Sequence, residues 1–250
     1  MSVATTLQQL PTPRPSYYRD GIWNVRKVCL FDRLTDPEQH TLTSLLEMRR
    51  YRKGEFVFHM GEQAEHLFFV HSGMIKVSLI SPRGNERILD IFTAGDVFGE
   101  MFISDHNRRT AAAQAVSGAT VQMLTETAFL RLLQTLPNLC HTFVRHLIEE
   151  QRRTLLRVEA LMHASPGPRL LSVLLDVGQR WGQRIGDDYL LPAPITQGDL
   201  ASMAALHRST VSVLINRFRR SRALGGQGKT LKIHTRRVRE LLRQADLTLS

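Results

Sequence analysis

Six glycines, at positions 54, 61, 73, 84, 95 and 99, cut the stretch from Lys53 to about Leu124 into short runs. The runs EFVFHMG, HLFFVHSG, MIKVSLI, RILDIFTAG and TVQML carry the β-branched and aromatic residues that suit a pleated, half-buried surface. Several short strands at this spacing argue a β-barrel or jelly roll. SPRGNER, at Ser81–Arg87, reads as a hairpin tip. Helical periodicity brackets the region, with DPEQHTLTSLLEM before it and a longer run after it.

That longer run, from about Asn138 to His163, carries two apolar stripes. One is Phe143, Leu147, Thr154 and Leu161; the other is Val144, Ile148, Leu155, Val158 and Met162. A surface helix needs one stripe. Two place the helix between its own roll and another body, and a second copy of the helix supplies a coiled-coil seam. Burial inside a monomer is the competing reading. ASPGP, at Ala164–Pro168, ends this helix and starts another, with Gly167 between two prolines as a change of direction.

The formal charge of +10 is unevenly spread. Residues 166–250 hold 14 Lys+Arg and 6 Asp+Glu, a balance of +8, whereas 1–165 hold 19 and 17, a balance of +2. Basic excess in the last third points to a polyanion. The same segment contains TQGDLASMAALHRSTVSVLINRFRRSRAL. Thr196 caps a first helix, with Asp199 as a weak capping-box partner and Leu200 and Met203 as the buried face. After a turn at Ala204–Leu206, Val211, Leu214, Ile215 and Phe218 fall at i, i+3, i+4 and i+7, a second buried face. Arg208, Ser209, Ser212, Val213 and Asn216 lie opposite, and His207 and Thr210 flank the start of this helix. Two such helices form a helix-turn-helix, whose second helix enters the major groove. There Arg pairs with guanine and Ser reaches either base, while Arg217, Arg219, Arg220 and Arg222 neutralise phosphates. LGGQGKTLKIHT then reads as a β-hairpin wing, with Lys229 and Thr230 near a phosphate.

A glycine-punctuated roll, a long helix and a C-terminal winged helix, in this order, resemble the cyclic-AMP receptor/FNR family of bacterial transcription regulators over about Val28 to Val238. The resemblance implies an α+β chain: a cyclic-nucleotide-binding-type β-roll (jelly roll), a long dimerisation helix and a winged helix-turn-helix. It divides the sequence into a flexible arm (1–22), an effector-sensing roll (23–136), the dimerisation helix (137–164) and a DNA-binding domain (165–250). It implies a homodimer on a palindromic operator in duplex DNA, with RNA polymerase as a further partner. Arg208 falls on the family's base-reading arginine. Ser209 replaces a frequent glutamate, and Val213 stands where the cyclic-AMP receptor has a second arginine. Ala205 occupies the usual turn glycine and is strained by about 1–2 kcal/mol if its φ is positive.

The stretch FGEMFISDHNRRTAAAQA, from Phe98, taken alone, is either a surface Glu–Arg pair on a hairpin or a ligand loop. Within the resemblance it becomes the family's loop for the ribose and phosphate of cyclic AMP, matched by Gly99, Glu100, Arg109 and Thr110. On the long helix Thr154 matches the first of two adenine-contacting hydroxyls, and Leu155 replaces the second. Phe102 stands where a small residue is usual, so its ring is expected to decide whether the pocket has room. The effector is thus a cyclic nucleotide such as cAMP, another molecule, or none, with control by expression level.

Two cysteines, Cys29 and Cys140, are too few for an iron–sulfur cluster held by four, and Cys140 is expected to be a buried structural thiol. Lone histidines such as His59, His66 and His71 read as surface or hydrogen-bonded residues rather than haem ligands. No nucleophile elbow, metal triad or P-loop argues for an enzyme. A cyclic-nucleotide module acting on a protein partner is disfavoured by the basic winged helix. The N-terminus has three prolines and no apolar signal core, and no run of 18 apolar residues occurs, so a cytoplasmic protein is expected.

Overall fold

The computed structural model describes residues 34–246 apart from 85, 104–106, 164, 192–194 and 227–229. The expected N-terminal arm, Cys29 and Lys229 lie outside them. The chain divides into two compact units between Thr154 and Leu155, inside the long helix.

The first unit opens with α1 (Asp36–Ser44), where the Glu38 carboxylate accepts from the backbone N–H of Thr35 at 2.7 Å. The helix stops short of the expected Met48. Glu47 and Met48 belong instead to β1 (Glu47–Tyr51), which pairs with a distant strand, so a non-local ladder overrides local periodicity. Seven strands follow: β2 (Phe56–Phe58), β3 (His66–Ser72), β4 (Met74–Ile80), β5 (Glu86–Thr93), β6 (Val97–Phe98), β7 (Ala112–Ala115) and β8 (Ala119–Thr125). They build two antiparallel four-stranded sheets, ordered β1-β8-β3-β6 and β2-β7-β4-β5. A 3-10 turn, Glu100–Ile103, follows β6.

Strand periodicity sorts the core into two layers. On β3, Phe68 and Val70 point between the sheets, with Phe58, Phe92 and Phe98. Leu67 and Phe69 point the other way, with Phe102 and Phe129 under the helices. The aromatic interior is accommodated by a strand of small residues: Ala112, Ala113 and Ala115 of β7 are all buried. Phe68 and Phe98 stack at 5.1 Å, and Phe92 and Phe98 at 5.3 Å.

A helix not anticipated from the sequence, α2 (Glu126–Thr135), is capped by the Thr125 hydroxyl, which accepts from Ala128 N–H. Pro137 then opens α3 (Pro137–His163). Leu139, Thr142, Phe143 and His146 of α3 are buried. Burial and the nearby Arg153 charge hold the His146 imidazole down at about 4, against the opposing pull of Asp96. Arg153 reaches Glu150 at 2.7 Å and Asp90 of β5 at 3.8 Å. Of the second expected stripe, the Met162 side chain lies outside the described residues, and the rest is bare: Val144 is 48% exposed, Ile148 55%, Leu155 62% and Val158 46%. The first splits, because Phe143 is buried while Thr154 and Leu161 are exposed. Cys140 is exposed, contrary to the expected buried thiol.

The second unit contains α4 (Pro166–Trp181), β9 (Gln183–Ile185), β10 (Asp188–Leu190), α5 (Gln197–Met203), α6 (Arg208–Arg220), β11 (Leu224–Gly225), β12 (Lys232–Ile233) and α7 (Thr235–Asp246). Its strands form a sheet ordered β11-β12-β10-β9. Pro166 and Gly167 lie in the first turn of α4, so this glycine is helical and is not the expected pivot. Proline suits a first turn, where its missing N–H has no intrahelical partner to lose. Leu170, Leu171, Leu174 and Trp181 form the buried face of α4.

Candidate nucleic-acid interface and effector site

Thr196 and Asp199 cap α5 reciprocally and more completely than expected. The Thr196 hydroxyl accepts from Asp199 N–H at 3.1 Å and donates to the Asp199 carboxylate at 2.7 Å, which also accepts from Thr196 N–H. Thr196 therefore fixes the start of the helix-turn-helix. Leu200 and Ala201 are the buried residues of α5, and Ala204 is buried just beyond it, whereas Met203 is only half-buried. The turn passes through Ala205 with φ at +50°. This is the left-handed region, so the expected strain at an alanine is present.

His207 caps α6 without a side-chain hydrogen bond. The expected inner face is fully realised: Val211, Leu214, Ile215 and Phe218 are buried. Ser209, Val213, Asn216 and Arg220, at i, i+4, i+7 and i+11, form an exposed stripe opposite. Arg208, Arg217 and Arg219 are exposed beside it, and Thr210 and Ser212 are half-buried at its edges. Several cations outside α6 are paired, as in Lys76–Glu86, Arg157–Asp176 and Arg237–Glu240. On α6, among the described residues, Arg208, Arg217, Arg219 and Arg220 form no ion pair, and the helix carries no acidic residue. One helix face thus presents several unneutralised guanidinium groups.

The wing is short. Gly226, at φ +95°, turns the chain after β11, and a Cβ there would come within 2.5 Å of the Thr230 carbonyl oxygen. Thr230 is exposed on the returning arm. Asp188 of β10 anchors the wing's base: its carboxylate pairs with His234 Nδ1 at 2.8 Å and Lys232 Nζ at 3.2 Å, and accepts from Thr235 N–H at 3.2 Å. Burial pushes this carboxyl up, but the hydrogen bonds from His234, Lys232 and Thr235 together hold it below the usual range. The sequence reading missed Asp188, whose partners lie far along the chain.

In the roll, Gly99 has φ at +89°, and a Cβ there would strike the Phe68 ring at 2.7 Å and Arg109 Nη1 at 3.0 Å. Arg109 is only 3% exposed. Its Nη1 donates to the Gly99 carbonyl at 2.6 Å and its Nη2 to the His66 carbonyl at 2.7 Å. Its guanidinium lies 4.2 Å from the Phe58 ring centre and 5.4 Å from that of Phe68. Burial lowers it to about 10, with Glu100, Glu62 and Glu65 opposing the fall. None of these carboxylates comes within ion-pair distance, and Arg109 Nε is buried without an acceptor. Of the two readings of this stretch, the surface Glu–Arg pair is not formed among the described residues.

The remaining candidates are dispersed. Glu100 is half-buried, and Thr110 is exposed while its neighbour Arg109 points inward. Thr154 is exposed and donates to the Glu150 carbonyl at 3.0 Å, and Leu155 is exposed. Phe102 does not enter the aromatic interior. It packs edge-on against Phe129 at 5.8 Å, on the other side of the sheet. The rings beside the arginine are instead Phe58 and Phe68, recognisable in sequence only as the same-face positions of neighbouring strands. The donor set suits a phosphate, since the arginine is buried and one acceptor short. The aromatic rings occupy the space beside it.

Residues 48–136 match the cyclic nucleotide-binding domain, and residues 168–243 match the Crp-like helix-turn-helix domain. A CRP-like cAMP-activated global transcriptional regulator of Mycobacterium tuberculosis is 27% identical over 192 residues, covering 77% of this chain and 86% of its own length. A fumarate and nitrate reduction regulatory protein of Yersinia pestis is 26% identical over 211 residues, 84% of each chain. The structure of FixK2 from Bradyrhizobium japonicum superposes with a TM-score of 0.70 at 19% identity, over 80% of this chain and 96% of that one. The Mycobacterium tuberculosis and Yersinia pestis relatives are regulators, not enzymes. With a cyclic-nucleotide-binding domain followed by a Crp-like helix-turn-helix domain, the chain belongs to the cyclic-AMP receptor/FNR family of DNA-binding transcription regulators.

Proposed function

We propose that two copies join along α3 and present two α6 helices to the half-sites of a palindromic operator, in the bacterial cytoplasm and in contact with RNA polymerase. The observation that carries this reading is the unpaired arginine face of α6 around Arg208, Ser209 and Asn216, supported by the exposed Val144–Ile148–Leu155–Val158 stripe. Four exposed apolar residues spaced by four, seven and three positions on one helix favour a self-complementary seam. Arg208, Ser209, Ser212, Val213 and Asn216 read bases. Thr196, His207, Thr210, Lys229 and Thr230 lie along the phosphates. Operator selection from random duplex DNA, followed by mobility shifts across a salt series, tests this. Failure to enrich any sequence overturns it.

For the effector, the proposed dock is Gly99, Glu100, Arg109 and Thr110, with Thr154 and Leu155 toward the base, and cAMP is the first ligand to test. When bound, a cyclic nucleotide would supply the acceptor that Arg109 Nε lacks, with Glu100 meeting its ribose. The packing of Phe58 and Phe68 favours a second reading, in which the roll is filled by its own side chains and the regulator is controlled by its expression level. Calorimetry with cAMP and cGMP separates the two: heat that disappears in Arg109→Met supports the dock, and no heat supports the filled roll.

A further inference from the structure

Val213 is 69% exposed, yet it sits in the middle of a helix face that is otherwise polar and basic. It belongs to the stripe with Ser209, Asn216 and Arg220, and the buried side of α6 is already complete without it. Nothing in its own fold calls for a β-branched apolar residue there. Valine is a poorer helix former than alanine or the straight-chain polar residues, and its exposed methyls gain nothing from water. What covers it must be apolar at one small spot and strongly anionic around it, because unpaired arginines flank it. In duplex DNA the major groove offers one such group, the 5-methyl of thymine, lying between two rows of phosphates. We infer that Val213 is a specificity-determining residue that packs on a thymine methyl and makes the half-site require thymine at one position.

The inference rests on the proposed docking of α6 in the major groove and adds a base preference to it. Side chains at Ser209 and Asn216, one turn to either side, hydrogen-bond base edges; Val213 cannot. It therefore discriminates by contact with the methyl and by leaving unpaired any polar base edge placed against it. Cytosine at the same position would present an amino group to an apolar side chain and is rejected.

The test begins with operator selection by the full-length wild type and by Val213→Ala. The wild type is expected to fix thymine at one position per half-site, and Val213→Ala to leave that position degenerate while the others persist. Uracil is then placed at that position, removing the methyl and nothing else. Burying one methyl is worth about 0.8 kcal/mol, so uracil should weaken wild-type binding about fourfold per half-site and leave Val213→Ala unchanged. 5-Methylcytosine there should bind the wild type better than cytosine does. A selected operator whose thymine preference survives Val213→Ala, or whose uracil form binds the wild type equally well, overturns the assignment of Val213. A wild type that selects no operator overturns instead the groove-docking reading beneath it. Coincident urea unfolding curves of wild type and Val213→Ala show that the exposed substitution leaves the fold intact.

Discussion

Arg109→Met asks what the roll's buried guanidinium does in the absence of any ligand. Arg109 makes two hydrogen bonds to main-chain carbonyls, at 2.6 and 2.7 Å, tying the chain after β6 to the start of β3. Hydrogen bonds from a charged donor contribute about 1.5–3 kcal/mol each. The Phe58 ring at 4.2 Å adds about 2 kcal/mol in a desolvated site. Methionine keeps the apolar stem and removes the charge, sparing a burial cost of several kcal/mol for an ion without a carboxylate partner. The balance is a loss of about 2 kcal/mol. With a urea dependence of about 1–3 kcal/mol per molar, the unfolding midpoint should fall by about 1 M. Far-UV circular dichroism of the full chain in urea, with no nucleotide added, measures it. A midpoint unchanged or raised would refute the reasoning: Arg109 would then be a charge stored for a ligand at the expense of the empty roll, and not an internal tie.

Three further outcomes follow from the geometry. Arg208→Ala should cost about 1–3 kcal/mol on the operator and relax one position per half-site, whereas Arg219→Ala should weaken all sequences alike and flatten the salt dependence, as parallel mobility shifts will register. Leu155→Glu places like charges face to face across the proposed seam, so sedimentation should find monomers and operator binding should be lost; an intact dimer rules that seam out. His146 stays neutral in the fold down to about 4 but takes a proton near 6.5 once unfolded. Its contribution is therefore present above pH 6.5 and lost as the pH falls toward 4, by about 3 kcal/mol, and His146→Gln should flatten that part of the stability–pH curve.

The helix-turn-helix was legible because its signals are local. Val211, Leu214, Ile215 and Phe218 follow a helical period, and the cap at Thr196 has its partner three residues away. The main strands were legible from glycine punctuation and β-branched runs. What escaped depends on distant partners. Glu47 and Met48 look helical until β8 is brought beside them. The Ala-rich β7 has low strand propensity and exists because small side chains fit opposite a phenylalanine layer. At the effector site the motif residues stood out, but their engagement did not. Spacing cannot reveal that Arg109 bonds the carbonyl of His66, 43 residues away, or that Phe102 turns to the opposite side of the sheet from the arginine.

The fit between the phenylalanine layer and the alanine strand bears on how such a roll changes its ligand over evolutionary time. Shortening one ring, as in Phe68→Ala, would hollow out a dry chamber next to a buried cation in a single step. The chamber would lower stability by about 3–5 kcal/mol, the usual cost of a phenylalanine-to-alanine vacancy. Any anion with an apolar body that filled it would restore that loss in proportion to its concentration. For such a descendant, sensing and folding would be the same equilibrium, and the protein would persist in the cell only while its signal was present.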